Sequence, residues 1–138
     1  MFVRHGPVKA DSRGDPNATY WAGALAFADV FYYRTFGHTL EREYADCKDY
    51  VKMFTPDARL ISDSRFIISA GGHTRTGRRA IFTSKNLGGV RERVKSQLLI
   101  FPHNDRFLKY RITYPQAHAE RAEQEIDNFV RSFPWPPD

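Results

Sequence analysis

Between Val94 and Pro115 the chain reads VKSQLLIFPHNDRFLKYRITYP, two extended runs on either side of a short polar break. In the second run, Phe107–Tyr114, positions alternate: Leu108, Tyr110, Ile112 and Tyr114 point one way, Lys109, Arg111 and Thr113 the other. A period of two marks a strand with one buried face. The first run, Val94–Phe101, does not alternate, because Leu98-Leu99-Ile100-Phe101 is apolar at every position. Such a strand needs cover on both sides. The break between them, Pro102 to Arg106, is rich in residues that favour reversal. Its length predicts a hairpin around a type I turn and not a two-residue one.

The other elements are read from the same kind of pattern. Met1 to Asn17 holds Gly6, Pro7, Gly14 and Pro16 and shows little periodicity, which predicts an irregular segment with a short edge strand at Phe2–Arg4. Tyr20 to Tyr33 is aromatic-rich and broken at Gly23, with a strand expected over Phe27–Tyr33. Thr39 is placed to cap a helix whose apolar stripe is Leu40, Tyr44, Cys47, Val51 and Phe54, and Pro56 stops it. Two strands, Arg65–Ser69 and Arg78–Thr83, flank Gly71-Gly72, and Asn86–Gly89 reads as a loop. A last helix, Ala117 to Phe133, carries Ala119, Ala122, Ile126, Phe129, Val130 and Phe133 on one face, and three prolines end it. Trp135, amid those prolines, should be pinned against the body of the domain.

Two one-sided helices and a four-strand meander that is apolar on both sides have a simple joint solution. The predicted fold is α+β: a single α/β/α domain over residues 1–138, with one helix on each face of a central antiparallel sheet. At 138 residues the chain can bury roughly two-thirds of its unfolded surface. No apolar run is long enough to span a membrane, and no secretory pattern opens the chain. The sequence therefore reads as that of a soluble protein, cytoplasmic or exported after loss of a leader. One cysteine excludes an internal disulfide.

Charge changes the picture more than composition does. The net charge is +5, but Arg65 to Arg111 holds eleven Lys/Arg against Glu92 and Asp105, a segment at +9 in a chain whose remainder is −4. That asymmetry makes nucleic acid a partner to weigh. Lys95, Lys109 and Arg111 share strands with Phe101, Phe107 and Tyr110, the mixture that a single-strand platform uses. No RNA-recognition consensus accompanies them.

From Gly77 onward the segments GRRAIFTSK, SQLLIFPHNDRFLKYRITYP and AEQEIDNFVRSFPWP resemble the PsbP-like fold family. That family includes the photosystem II extrinsic subunit and a Ran nucleotide-release factor, besides bacterial members of unknown function. The likeness rests on Lys109-x-Arg111-x-Thr113-Tyr114-Pro115, the helix that follows, and Phe133-Pro134-Trp135-Pro136. It implies a domain that docks onto a larger partner and performs no turnover.

Candidate site residues each have a plainer reading. His103 and Asp105 could share a metal or a proton, but Asn104-Asp105 at a hairpin tip is explained by turn chemistry. His73, Arg75, Arg78 and Arg79 beside Gly71-Gly72 could cradle a phosphate, yet no Walker or dinucleotide pattern is present, and a Gly-Gly hairpin with solvated arginines fits as well. Cys47 sits on a helix stripe and reads as a small buried hydrophobe. No serine has a nucleophile-elbow context, and neither a metal nor a cofactor is expected. The sequence favours a non-enzymatic binding domain with a protein partner. A basic-surface nucleic-acid binder is the first alternative, and a small ligand-binding protein or hydrolase the second.

Overall fold

The computed structural model describes residues 1–85 and 92–138. Its elements run β1 (Val3–Ala10), β2 (Pro16–Ala22), β3 (Ala26–Arg34), α1 (Leu40–Phe54), β4 (Arg59–Ala70), β5 (His73–Ser84), β6 (Val94–His103), β7 (Arg106–Pro115) and α2 (Ala119–Ser132). One turn of 3-10 helix, Gln116–His118, leads into α2. The strands form one seven-stranded antiparallel sheet in the order β1-β2-β3-β7-β6-β5-β4. The chain builds β1–β3, crosses by α1 to the far edge, and returns as a meander until β7 pairs with β3. The expected loop Asn86–Gly89 lies outside the described residues.

The strand apolar on both sides divides the interior in two. Leu98 and Ile100 pack with Ala80, Phe82 and Phe107 under Tyr44, Cys47 and Val51 of α1. Leu99 and Phe101 pack with Phe66, Ile68, Leu108, Tyr110 and Ile112 under Ala122, Ile126 and Val130 of α2. All four residues of the run are fully buried. The helices thus lie on opposite faces, as the run requires. Thr39 caps α1 by accepting from the Arg42 amide at 3.2 Å, a contribution of about 1 kcal/mol. No described helix is long and apolar enough to cross a membrane.

Three expectations need correction. The N-terminal segment is not irregular: β1 runs over Val3–Ala10, but all eight of its residues are exposed, so it has no apolar period to read. Its register with β2 shifts between His5 and Lys9, where Gly6 adopts φ 81°. The central hairpin is a two-residue turn, with pairing carried through His103↔Arg106 and Asn104 in the left-handed region at φ 56°. Pro102 is tolerated inside β6 because pairing with β5 ends at Arg78↔Ile100, leaving that part of the strand with β7 alone. Finally, Phe54 does not join the α1 stripe; it is 78% exposed and stacks on Tyr50 at 6.1 Å.

Gly77 of β5 leaves no room for a side chain against β6. A Cβ there would collide with the Ile100 carbonyl oxygen and stand 2.6 Å from the Phe101 ring, both fixed in the core. Gly77→Ala is therefore expected to lower stability by about 2 kcal/mol or more in urea denaturation, since these neighbours have nowhere to move. A loss below half of that would show the β5–β6 packing to be looser than described.

Candidate functional site

The two faces of the sheet are covered unequally. On one, α2 reaches from Phe66 and Ile68 of β4 across to Phe2 and Tyr20 at the other side of the sheet. On the other, α1 packs on β5, β6 and Phe107 of β7, and neither Trp21 of β2 nor Phe27 of β3 belongs to its cluster. The register gives the residues of this open half. Phe27, Asp29, Phe31 and Tyr33 of β3 lie opposite Thr113, Arg111, Lys109 and Phe107 of β7. Asn17, Thr19 and Trp21 of β2 lie opposite Phe31, Asp29 and Phe27.

That half is aromatic and carries uncompensated charge. Trp21 and Phe27 are 47% and 40% exposed, with ring centroids 6.3 Å apart, and His5 stacks on Trp21 at 5.0 Å. Thr19 donates to the Asp29 carboxylate at 2.7 Å. Lys109 Nζ lies 4.9 Å from the Phe31 ring and 5.2 Å from the Tyr33 ring, and donates to Cys47 Sγ at 3.9 Å. Among the described residues, neither Lys109 nor Arg111 has a carboxylate within ion-pair distance. Arg111 Nε is buried without a hydrogen-bond partner. Burial pulls the Arg111 guanidinium below its ordinary value, and Asp29 is among the groups that oppose the shift. An arginine keeps its proton despite such a shift, so the face holds a desolvated cation. Leaving it unpaired is costly, and an incoming anion would relieve that cost.

The remaining sequence candidates do not join this open half. Arg78 reaches Glu41 at 3.1 Å and Asp63 at 3.0 Å, and lies over the Tyr44 ring at 4.9 Å. Partial burial pushes the Asp63 carboxyl up, but hydrogen bonds from Lys48, Tyr44 and Arg78 outweigh it and bring it down to about 2. Arg79 lies over Phe66 on the α2 side, and Lys95, also on that side, meets Glu123 at 3.5 Å. The basic stripe is thus split between the two faces. The arginines beside Gly71-Gly72 are not solvated either: the Arg75 side chain is only 13% exposed and lies over Trp135 at 4.5 Å. Phe101, Phe107 and Tyr110, the expected stacking platform, are all buried.

Arg75, His73 and His103 instead converge on the tail. Arg75 holds the Asp138 carboxylate at 3.0 and 3.3 Å, His73 Nε2 lies 3.3 Å from it, and His103 Nε2 2.8 Å. His103 is 2% exposed, with Nδ1 2.7 Å from the Tyr32 hydroxyl. Asp105 stays exposed at the turn, and its backbone carbonyl accepts from the Thr35 amide at 2.8 Å. This constellation clasps the C-terminal segment to the sheet and pins Trp135 between Arg75, Phe101 and His103.

Sequence reasoning missed Trp21, Phe27, Phe31 and Asp29 as site residues. The signal was Trp21 and Phe27 on either side of the Gly23 break. It reads equally well as core, and only the sheet order shows that no helix covers them.

No family model matches the chain, and no curated protein matches it. Among solved structures, a crystal structure of PA94 from Pseudomonas aeruginosa, a protein of unknown function described as a candidate regulator, is similar over 99% of each chain. The TM-score is 0.65 at 10% identity, a likeness of fold.

Cys47 lies at the wall of the open face and is 7% exposed. Burial is the main cause that pushes its thiol from 9.0 up to about 11, with Lys109 opposing. The native protein should label slowly with a bulky thiol reagent and quickly in denaturant. The neutral thiol is favoured by folding, so its contribution to stability is intact below pH 9 and is lost as pH rises through about 11. Cys47→Ala should flatten the onset of the alkaline decline around pH 9, before the tyrosines begin to ionise in the unfolded chain near their ordinary value of about 10. Fast native labelling, or an unchanged decline, would place the thiol in water.

Proposed function

We propose that this protein is a non-catalytic binding domain, and that its partner is a protein presenting an amphipathic helix with carboxylates beside its apolar stripe. The observation that carries this reading is the half-covered sheet face, where exposed Trp21 and Phe27 adjoin the unpaired cations Lys109 and Arg111. A sheet face that carries large apolar side chains is stabilised by a packed layer over it, and α1 supplies only part of that layer here. A partner helix laid beside α1 would complete it, burying the aromatic rings and pairing the cations. The resemblance of the later segments to the PsbP-like family points the same way.

Nucleic acid is the second reading, since aromatics and cations do share this surface. Two cations set between Asp29 and the Glu43 carboxylate of α1 make a poor track for a phosphate chain, which needs a continuous positive groove.

Fluorescence anisotropy separates the two. The probes are a helical peptide with a leucine stripe flanked by glutamates, its lysine counterpart and a single-stranded oligonucleotide. The acidic peptide should bind at least about tenfold tighter than the lysine one, and Arg111→Glu should remove that preference, a change of ~1.4 kcal/mol. Trp21→Ala should weaken both peptides. Equal binding of the two peptides would overturn the proposal, as would tighter, salt-resistant binding of the oligonucleotide.

A further inference from the structure

We propose that His38, Glu43 and Asp46 form a binding site for a divalent first-row transition ion, zinc being the fitting case. The three side chains offer an imidazole nitrogen and two carboxylate oxygens, all within 4.8 Å of one another. His38 Nδ1 stands 3.8 Å from Glu43 Oε1, too far for a hydrogen bond between them. Donors in a tetrahedral zinc site with bonds of ~2.0–2.1 Å lie about 3.4 Å apart. The His38–Glu43 pair is thus close to the separation a bridging cation requires. Asp46 is exposed and free to swing in from the next turn of α1.

Two features aim these donors. Phe36 and Gly37 both take left-handed backbone, at φ 49° and 77°, and the His38 amide donates back to the Thr35 carbonyl at 3.0 Å. That tight turn presents the imidazole at the start of α1. Glu43 is held from behind: its Oε2 accepts from the Tyr33 hydroxyl at 2.6 Å and from the Cys47 thiol at 3.5 Å, which leaves Oε1 directed at His38. A carboxylate whose second oxygen is anchored by a neighbour is the usual support of a metal ligand. The Glu43 amide already bonds the Thr39 carbonyl, so both acids lie past the free amides whose dipole would oppose a cation.

The donor set decides the ion. One imidazole and two carboxylates suit zinc and its neighbours better than magnesium or calcium, which favour all-oxygen sites. Two anionic ligands neutralise the ion's charge, and three protein donors leave a coordination position open. The other place where imidazoles meet a carboxylate, His73 and His103 on Asp138, is unsuited because Arg75 already lies bidentate on that carboxylate.

Calorimetric titration of the full chain with zinc chloride, and with magnesium chloride for contrast, tests this. Zinc should bind with a stoichiometry near one and magnesium should not. His38→Ala and Asp46→Asn, both checked for folding by circular dichroism, should each weaken zinc at least tenfold. Tyr33→Phe, which frees Glu43, should weaken it roughly tenfold to a hundredfold. His73→Ala should leave it unchanged. Absence of saturable binding at millimolar zinc would overturn the proposal. So would binding that survives both His38→Ala and Asp46→Asn, or binding that depends on His73.

Discussion

The structure depends on the burial of one strand on both sides. Leu98, Leu99, Ile100 and Phe101 have no polar neighbour among them, so neither face of β6 can meet water. Each fully buried side chain of this size contributes about 1.5–3 kcal/mol relative to exposure, which makes the double cover a large local contribution to the fold. The two helices follow from it. So does the position of β6 inside the sheet, with β5 and β7 on either side satisfying its backbone.

That constraint is local, and it leaves the outer strands free to differ. α2 and the tail after it form a broad lid, reinforced by Phe129 and Phe133 against Tyr20 and by the Asp138 clasp at the hairpin end. α1 adds polar ties to its apolar stripe, Tyr44 and Lys48 to Asp63 of β4 and Tyr33 of β3 to Glu43, which hold it over β5 and β6. Because the crossover ends there, the same face remains bare over β2 and β3. The asymmetry of cover thus comes from topology and from where α1 is anchored.

This also explains what could be read from the sequence. The central hairpin, both helices, the Thr39 cap and the opposed helix faces were legible because each rests on a buried period or a local cap. β1 and the first half of β4 were not, since exposed edge strands bury no alternating face. Lys109 and Arg111 were legible as basic strand residues, but their neighbours were not. Lys95 faces the other way, and Trp21 and Phe27 come beside them only through the β3–β7 pairing, a contact between distant parts of the chain. His103 reads locally as part of a turn, because nothing near it in the sequence announces its partners, Tyr32 and Asp138.

The shift of register in β1 has a consequence for how the molecule behaves in a crowd. An open sheet ends in a row of unpaired amides and carbonyls that can template a strand from another molecule. Here the outermost strand is interrupted by Gly6 and Pro7, the latter lacking an amide to offer, and it carries Arg4 and Lys9 on a fully wetted ribbon. Such an edge resists edge-to-edge growth: it is too kinked to align with a flat neighbour and too charged to shed its water. The β1 edge is thereby closed to strand-by-strand self-assembly, although the sheet face beside it stays bare.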